Sequence, residues 1–123
     1  MGLDISPGDA HWSYGGFHHF RERLATIEGF TLDEMSGFAP FDAPQDWTGR
    51  SWDDVDTPLK PLLNHSDCDG DLSPEECAQI APRLREVVIA LWPDENDYNR
   101  KSGLALAEGM ERAAAAGERL EFC

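Results

Sequence analysis

Positive charge is what this sequence has least of: 10 Lys and Arg stand against 24 Asp and Glu in 123 residues, for a formal net charge of −14. A field of that sign repels phosphate backbones and anionic lipid surfaces, so direct nucleic-acid or membrane binding is not expected. It suits a protein that binds a cation or presents carboxylates to a basic protein, and it also serves solubility. Long apolar runs are missing as well; none approaches the roughly 20 residues that span a bilayer. The opening MGLDISPGDAHW has neither a basic stretch nor an apolar run, so no secretory signal is expected and a cytoplasmic location is. Ser6 behind Gly2 meets the myristoylation pattern only formally. Cysteine is scarce: Cys68, Cys77 and Cys123 are an odd number without a regular framework, and reduced thiols are expected. There is no nucleophile elbow, phosphate loop or dinucleotide fingerprint. The acidic pairs Glu75–Glu76 and Asp53–Asp54 are adjacent in sequence rather than facing, unlike a two-carboxylate hydrolase site. Enzyme is the class with least support.

What is there is an apolar content of 41% with four tryptophans, enough to fill one core. The expected fold is mainly α: one small helical domain over residues 1–123, containing a helix–loop–helix, a long irregular loop and a minimal strand pair. Residues 1–13 read as an irregular or extended lead-in. Ser13 can cap a helix over about 14–28, with Phe17, Phe20, Leu24 and Ile27 at helical spacing. Thr31–Met35 has room for one helical turn. Residues 37–57, rich in Gly, Pro and Asp, have no period and read as a long loop tied down by Phe38, Phe41, Trp47 and Trp52. Pro58 is expected to open a short helix over 58–64. A strong apolar stripe from Cys77 to Trp92 marks a helix over about 74–92, with Pro82 expected to kink it. A last helix over 97–116 places Tyr98, Ser102, Leu106, Met110 and Ala113 on one side, and Gly117 caps it. The tail Leu120–Phe122 reads as a short strand.

Between the second and third helices lies His65-Ser-Asp-Cys-Asp-Gly-Asp-Leu-Ser-Pro-Glu-Glu76. Three carboxylates within five residues repel one another, and a hard divalent cation relieves that repulsion with six to eight oxygens. Gly70 permits the sharp turn. Ser73, Pro74 and Glu76 form a capping box, so one segment closes the loop and starts the next helix. The bland alternative is an acidic turn before a well-capped helix.

Position by position this segment resembles an EF-hand loop. The resemblance implies oxygen ligands from Asp67 at position 3, Asp69 at 5, the carbonyl of Asp71 at 7, Ser73 at 9 and Glu76 at 12, with Leu72 in the apolar position 8. Calcium is the implied ion. His65 departs from the pattern, because position 1 usually carries an aspartate and imidazole is a poor calcium ligand. Affinity is therefore expected at the weak end, on the order of 10⁻⁴ M or poorer, with Asn64 or water filling the gap. A softer ion such as zinc on His65 and Cys68, assisted by Cys77 or Cys123, is the lesser expectation. EF-hands usually come in pairs and no second loop is found, so the hand must pair between two chains or lean its Leu72 strand elsewhere, Leu120–Phe122 being the candidate. More widely, the strings MGLDIS, AHWSYGGF, PLLNHSDCDGDLSPEEC and LEFC resemble small uncharacterised proteins of actinobacteria and their phages. That likeness implies a cytoplasmic bacterial or phage origin and brings no known activity.

Two further groups bear on function. His11, His18 and His19 fall near Asp9, Trp12 and Tyr14; a catalytic or metal role needs Asp9 or a loop aspartate to converge on them, and otherwise they are surface histidines. The stretch with Trp47, Trp52, Asp53, Asp54 and Asp56 is the candidate interaction surface. On the rival reading it makes an acidic inhibitor that mimics nucleic acid or blocks a basic partner without any metal.

Overall fold

The computed structural model describes residues 2–38, 42–65 and 70–122. Asp67, Cys68, Asp69, Phe41 and Cys123 lie outside these described residues, and with them part of the expected loop ligands. Among the described residues there are four α-helices, α1 (Tyr14–Ile27), α2 (Lys60–Leu63), α3 (Pro74–Leu91) and α4 (Tyr98–Ala116). Four short strands accompany them: β1 (Leu3–Ser6), β2 (His11–Trp12), β3 (Gly70–Leu72) and β4 (Leu120–Phe122). The mainly helical expectation holds, with more strand than expected. Of the two expectations for the lead-in the extended one holds, and it folds back as a hairpin, because Leu3, Ile5 and Trp12 alternate with exposed neighbours and bury one face. All pairs are antiparallel in the order β2-β1-β4-β3.

Local chemistry sets the helix ends. Ser13 accepts from Gly16 N at 3.0 Å and opens α1. Phe17, Phe20 and Leu24 are buried as expected, but Ile27 is 40% exposed because the helix ends there and turns at Gly29, φ +95°. Pro58 does not open α2. The helix begins at Lys60, led in by Thr57, whose hydroxyl accepts from Leu59 N at 3.1 Å and whose carbonyl accepts from Lys60 N at 3.1 Å. Pro82 lies within α3, which runs unbroken from Pro74 to Leu91 with the proline exposed on its outer face. Asp97 caps α4 through Asn99 N, and Gly117 closes it at φ +67°. Tyr98 belongs outside the buried side of α4: it is 55% exposed, and its hydroxyl donates to the carbonyl of His11.

Small residues on α4 decide how closely its neighbours approach. A β-carbon at Gly103 would lie 2.8 Å from Val88 Cγ2 on α3, and one at Gly109 would lie 2.3 Å from the carbonyl oxygen of Pro7. The long connection is tied rather than loose. Ser36 N donates to Arg50 O at 2.9 Å, Arg50 N to Glu34 O at 2.7 Å, and Trp52 Nε1 to Ser36 O at 2.9 Å. Two 3-10 turns, Leu32–Glu34 and Trp52–Asp54, punctuate it. Through the core runs a chain of rings from Trp92 to Phe20 (5.2 Å between centroids), Trp12 (4.6 Å), Phe17 (5.4 Å) and Phe122 (6.0 Å). No helix among the described residues is long and apolar enough to cross a membrane.

Candidate metal-binding loop

The aromatic chain ends at the loop. His65, half-buried at the end of the segment following α2, packs against Phe122 with centroids 4.2 Å apart and the rings tilted by 36°. Its Nε2 lies 3.2 Å from the carbonyl oxygen of Asp71. A carbonyl can only accept, so in this contact Nε2 carries the proton. The side chain of His65 and the carbonyl of Asp71 thus meet directly across the loop. Here the imidazole satisfies that carbonyl itself. His65 therefore has a packing role on Phe122 and a polar role on Asp71.

Gly70 takes φ +104°, a conformation that side chains resist, and a β-carbon there would lie 3.0 Å from the His65 ring. Leu72 turns inward, 2% exposed, and β3 pairs with β4 in the register Gly70–Phe122, Asp71–Glu121 and Leu72–Leu120. The C-terminal strand is thus the support expected for the Leu72 strand. The capping box forms as expected: Ser73 N donates to Glu76 Oε1 at 2.8 Å and Glu76 N to Ser73 Oγ at 3.1 Å. This uses one of the two Glu76 oxygens and one acceptor site on Ser73.

Two arginines that the sequence reading passed over bracket the loop. Arg21 on α1 is 1% exposed and donates to the carbonyls of Leu63 (3.4 Å) and His65, with its guanidinium 4.7 Å from the Phe17 centroid and 5.5 Å from that of Phe38. A buried guanidinium needs such acceptors. It fixes the chain where the loop begins. On the outer side Arg119 Nη2 donates to Asp71 Oδ1 at 2.8 Å. That hydrogen bond holds the Asp71 carboxyl below the usual carboxylate range, assisted by the charges of Arg119 and His65.

The described ligand positions fit a hard divalent cation in part. The glycine turn, the inward Leu72 and the Asp71 carbonyl suit one; His65 brings a nitrogen donor and Glu76 is turned toward its own helix. The softer set on His65 fares less well where it is described. Cys77 is wholly buried in the core, and burial pushes its thiol up, away from the thiolate that ligation needs.

The other expected residues separate. His11 bonds Asp4 through Nδ1 at 2.7 Å and does not join His18 and His19 in any cluster among the described residues; Asp9 does not join one either. On the candidate interaction surface, Asp53, Asp54 and Asp56 are exposed and Trp47 is half-buried. Trp52 is half-buried too, but its ring packs edge-on against Phe30 and Phe38, both centroids 5.9 Å away. No family model, no curated protein and no solved structure matches this chain.

Proposed function

We propose that the segment His65–Glu76 binds a divalent cation, calcium being the ion its oxygen chemistry suits, and that the ion acts structurally. The observation that supports this most is the pairing of β3 with β4. An EF-hand loop needs a strand partner at position 8, and Leu72 opposite Leu120 supplies one within the chain. The positive φ of Gly70 is a further requirement of such a loop that is met. Asp67 and Asp69 supply the remaining carboxylates in this reading. A structural role is favoured over sensing because the helices flanking the loop are already tied to the core through Leu62, Leu63 and Cys77, all wholly buried, which leaves little to open.

Calcium titrated into EDTA-stripped protein by calorimetry tests this, with the melting temperature followed alongside. Saturable binding with a dissociation constant on the order of 10⁻⁴ M is expected, with a raised melting temperature and loss of both in Asp67→Asn plus Asp69→Asn. Absence of heat and of any shift at millimolar calcium would sink the reading. A second reading rests on the exposed carboxylates of Asp53, Asp54 and Asp56: an acidic face that blocks a basic protein. Affinity for such a partner would fall steeply with salt and ignore chelator.

A further inference from the structure

Away from the loop, two elements bring three metal-ligating side chains together. His18 and Glu22 stand one helical turn apart on α1, and Asp33 reaches them from the 3-10 turn Leu32–Glu34. Nε2 of His18 lies 3.8 Å from Glu22 Oε1 and 3.7 Å from Asp33 Oδ1, and the three ligand atoms fall within 4.8 Å of one another. These separations are too long for hydrogen bonds, which end near 3.2 Å. They come close to the edge of a coordination tetrahedron, roughly 3.3 Å for metal–ligand distances of about 2.0 Å. The two His18 separations exceed that edge by about half an ångström, and the carboxylates lie within 4.8 Å of each other, so side-chain rotation has to draw the three ligands together around an ion.

The ligands are also oriented. The His18 ring stacks on Phe38, centroids 6.2 Å apart and planes 22° from parallel, which holds its Nε2 toward the carboxylates. Asp33 sits in a turn pinned at both ends, by Met35 N to Leu32 O at 3.0 Å and by Arg50 N to Glu34 O at 2.7 Å. His18 is 34% exposed and Asp33 51%, so the cluster opens to solvent and an ion can enter without rearranging the core.

We propose that His18, Glu22 and Asp33 form a second cation site, for a zinc-class divalent ion, with the remaining coordination positions taken by water. Two carboxylates balance the charge of such an ion, and a neutral imidazole selects first-row transition metals over calcium. An ordinary ion-pair cluster around a protonated His18 is the competing account, and at this exposure it would add little stability. The site is independent of the calcium reading and uses none of its residues.

The test titrates zinc chloride into EDTA-stripped full-length protein by calorimetry and repeats the titration with cobalt(II), read by visible absorption. His18→Gln, Asp33→Asn, Asp69→Asn and His11→Gln are compared with the unaltered protein. One zinc per chain is expected, weakened by at least about tenfold in His18→Gln and Asp33→Asn, the scale of losing even a supporting partner of a ligand. Asp69→Asn and His11→Gln should bind as the unaltered protein does. The proposal is overturned if the unaltered protein takes up no zinc, if His18→Gln and Asp33→Asn bind normally, or if binding is lost in Asp69→Asn instead. Melting curves check that each variant folds. Should His18→Gln fail to fold, Asp33→Asn decides alone, since Asp33 is on the surface.

Discussion

A β-carbon at Gly103 would come within 2.8 Å of Val88 between α3 and α4, and on the loop side Arg119 approaches Asp71 to the same 2.8 Å. The lengths match and the physics does not. At the two glycines the contact is one of volume: the absence of side-chain atoms on Gly103 sets the approach of α4 to α3, and on Gly109 its approach to Pro7, while the ion pair of Arg85 with Glu111 at 2.6 Å lies on the surface beside them. At the loop the contacts are polar and exposed, and each can be rebalanced by an ion, by salt or by pH. Glu28 stands between the two regimes. Its carboxylate, 6% exposed, takes Nε of Arg83 at 3.0 Å and the hydroxyl of Thr57, tying the end of α1 to α3 and to the start of α2. The helical side should thus set the stability of the chain, while the loop side should set its response to conditions.

The strongest way to break this contrast is to fill the helical side. Gly109→Val places atoms where Pro7 O already is, and overpacking of that kind costs about 3 kcal/mol. A drop of roughly 10 °C in melting temperature is expected, the same with calcium or EDTA. A change of a degree or less would show that the close approach constrains nothing. Leu72→Ala comes next, because it removes a buried side chain from β3 at the edge of both regimes. It should cost about 2 kcal/mol and also weaken calcium binding, whereas Gly109→Val should leave binding intact in the folded fraction; calorimetry on both variants separates the two effects.

Glu28→Gln follows, at about 1–2 kcal/mol. Burial pushes the Glu28 carboxyl up, but the hydrogen bonds from Arg83 and Thr57 and the charge of Arg83 outweigh it and leave the group below its ordinary value. A carboxyl lowered on folding adds stability that is complete above its unfolded value of about 4.3 and is lost as pH falls through the folded value. The penalty of Glu28→Gln should therefore be full at pH 7 and shrink toward pH 3. Melting curves at both pH values check this, and an equal penalty at both would remove the ion pair as its source.

What could be read beforehand divides along the same line. The helices, the Gly117 cap and the Ser73–Glu76 box were legible because each rests on neighbours within four residues. The pairing of Leu72 with Leu120 was legible because an apolar position beside the loop needed cover and the tail offered alternation. Arg21 left a trace that went unread: it falls four residues after Phe17 and three before Leu24, on the buried stripe of α1. A charged residue on an apolar stripe is a request for buried acceptors, and the carbonyls of Leu63 and His65 answer it. Asp33 beside His18, and Arg83 beside Glu28 across 55 residues, left no local trace. Their meeting depends on how α1, α3 and the 3-10 turns pack. The four residues of β1 alternate correctly but are too few to distinguish a strand from a lead-in.

The smallest expected effect on stability is the one that most sharpens the contrast. Arg119→Gln removes an exposed ion pair, and pairs of this kind add little to folding, so the melting temperature without calcium should hardly move. Binding should change all the same. Arg119 places a positive charge against Asp71, next to the carboxylates that would hold the ion, and its hydrogen bond to Asp71 is the first cause of the raised Arg119 pKa. Taking that charge away deepens the negative potential of the loop, which should tighten calcium binding roughly two- to threefold at low salt and leave less difference at 1 M. Calorimetric titrations at both salt concentrations measure it. If affinity instead falls, Arg119 is holding the loop in its binding shape rather than competing with the ion, and the loop side would then be a region of fixed geometry like the helical side.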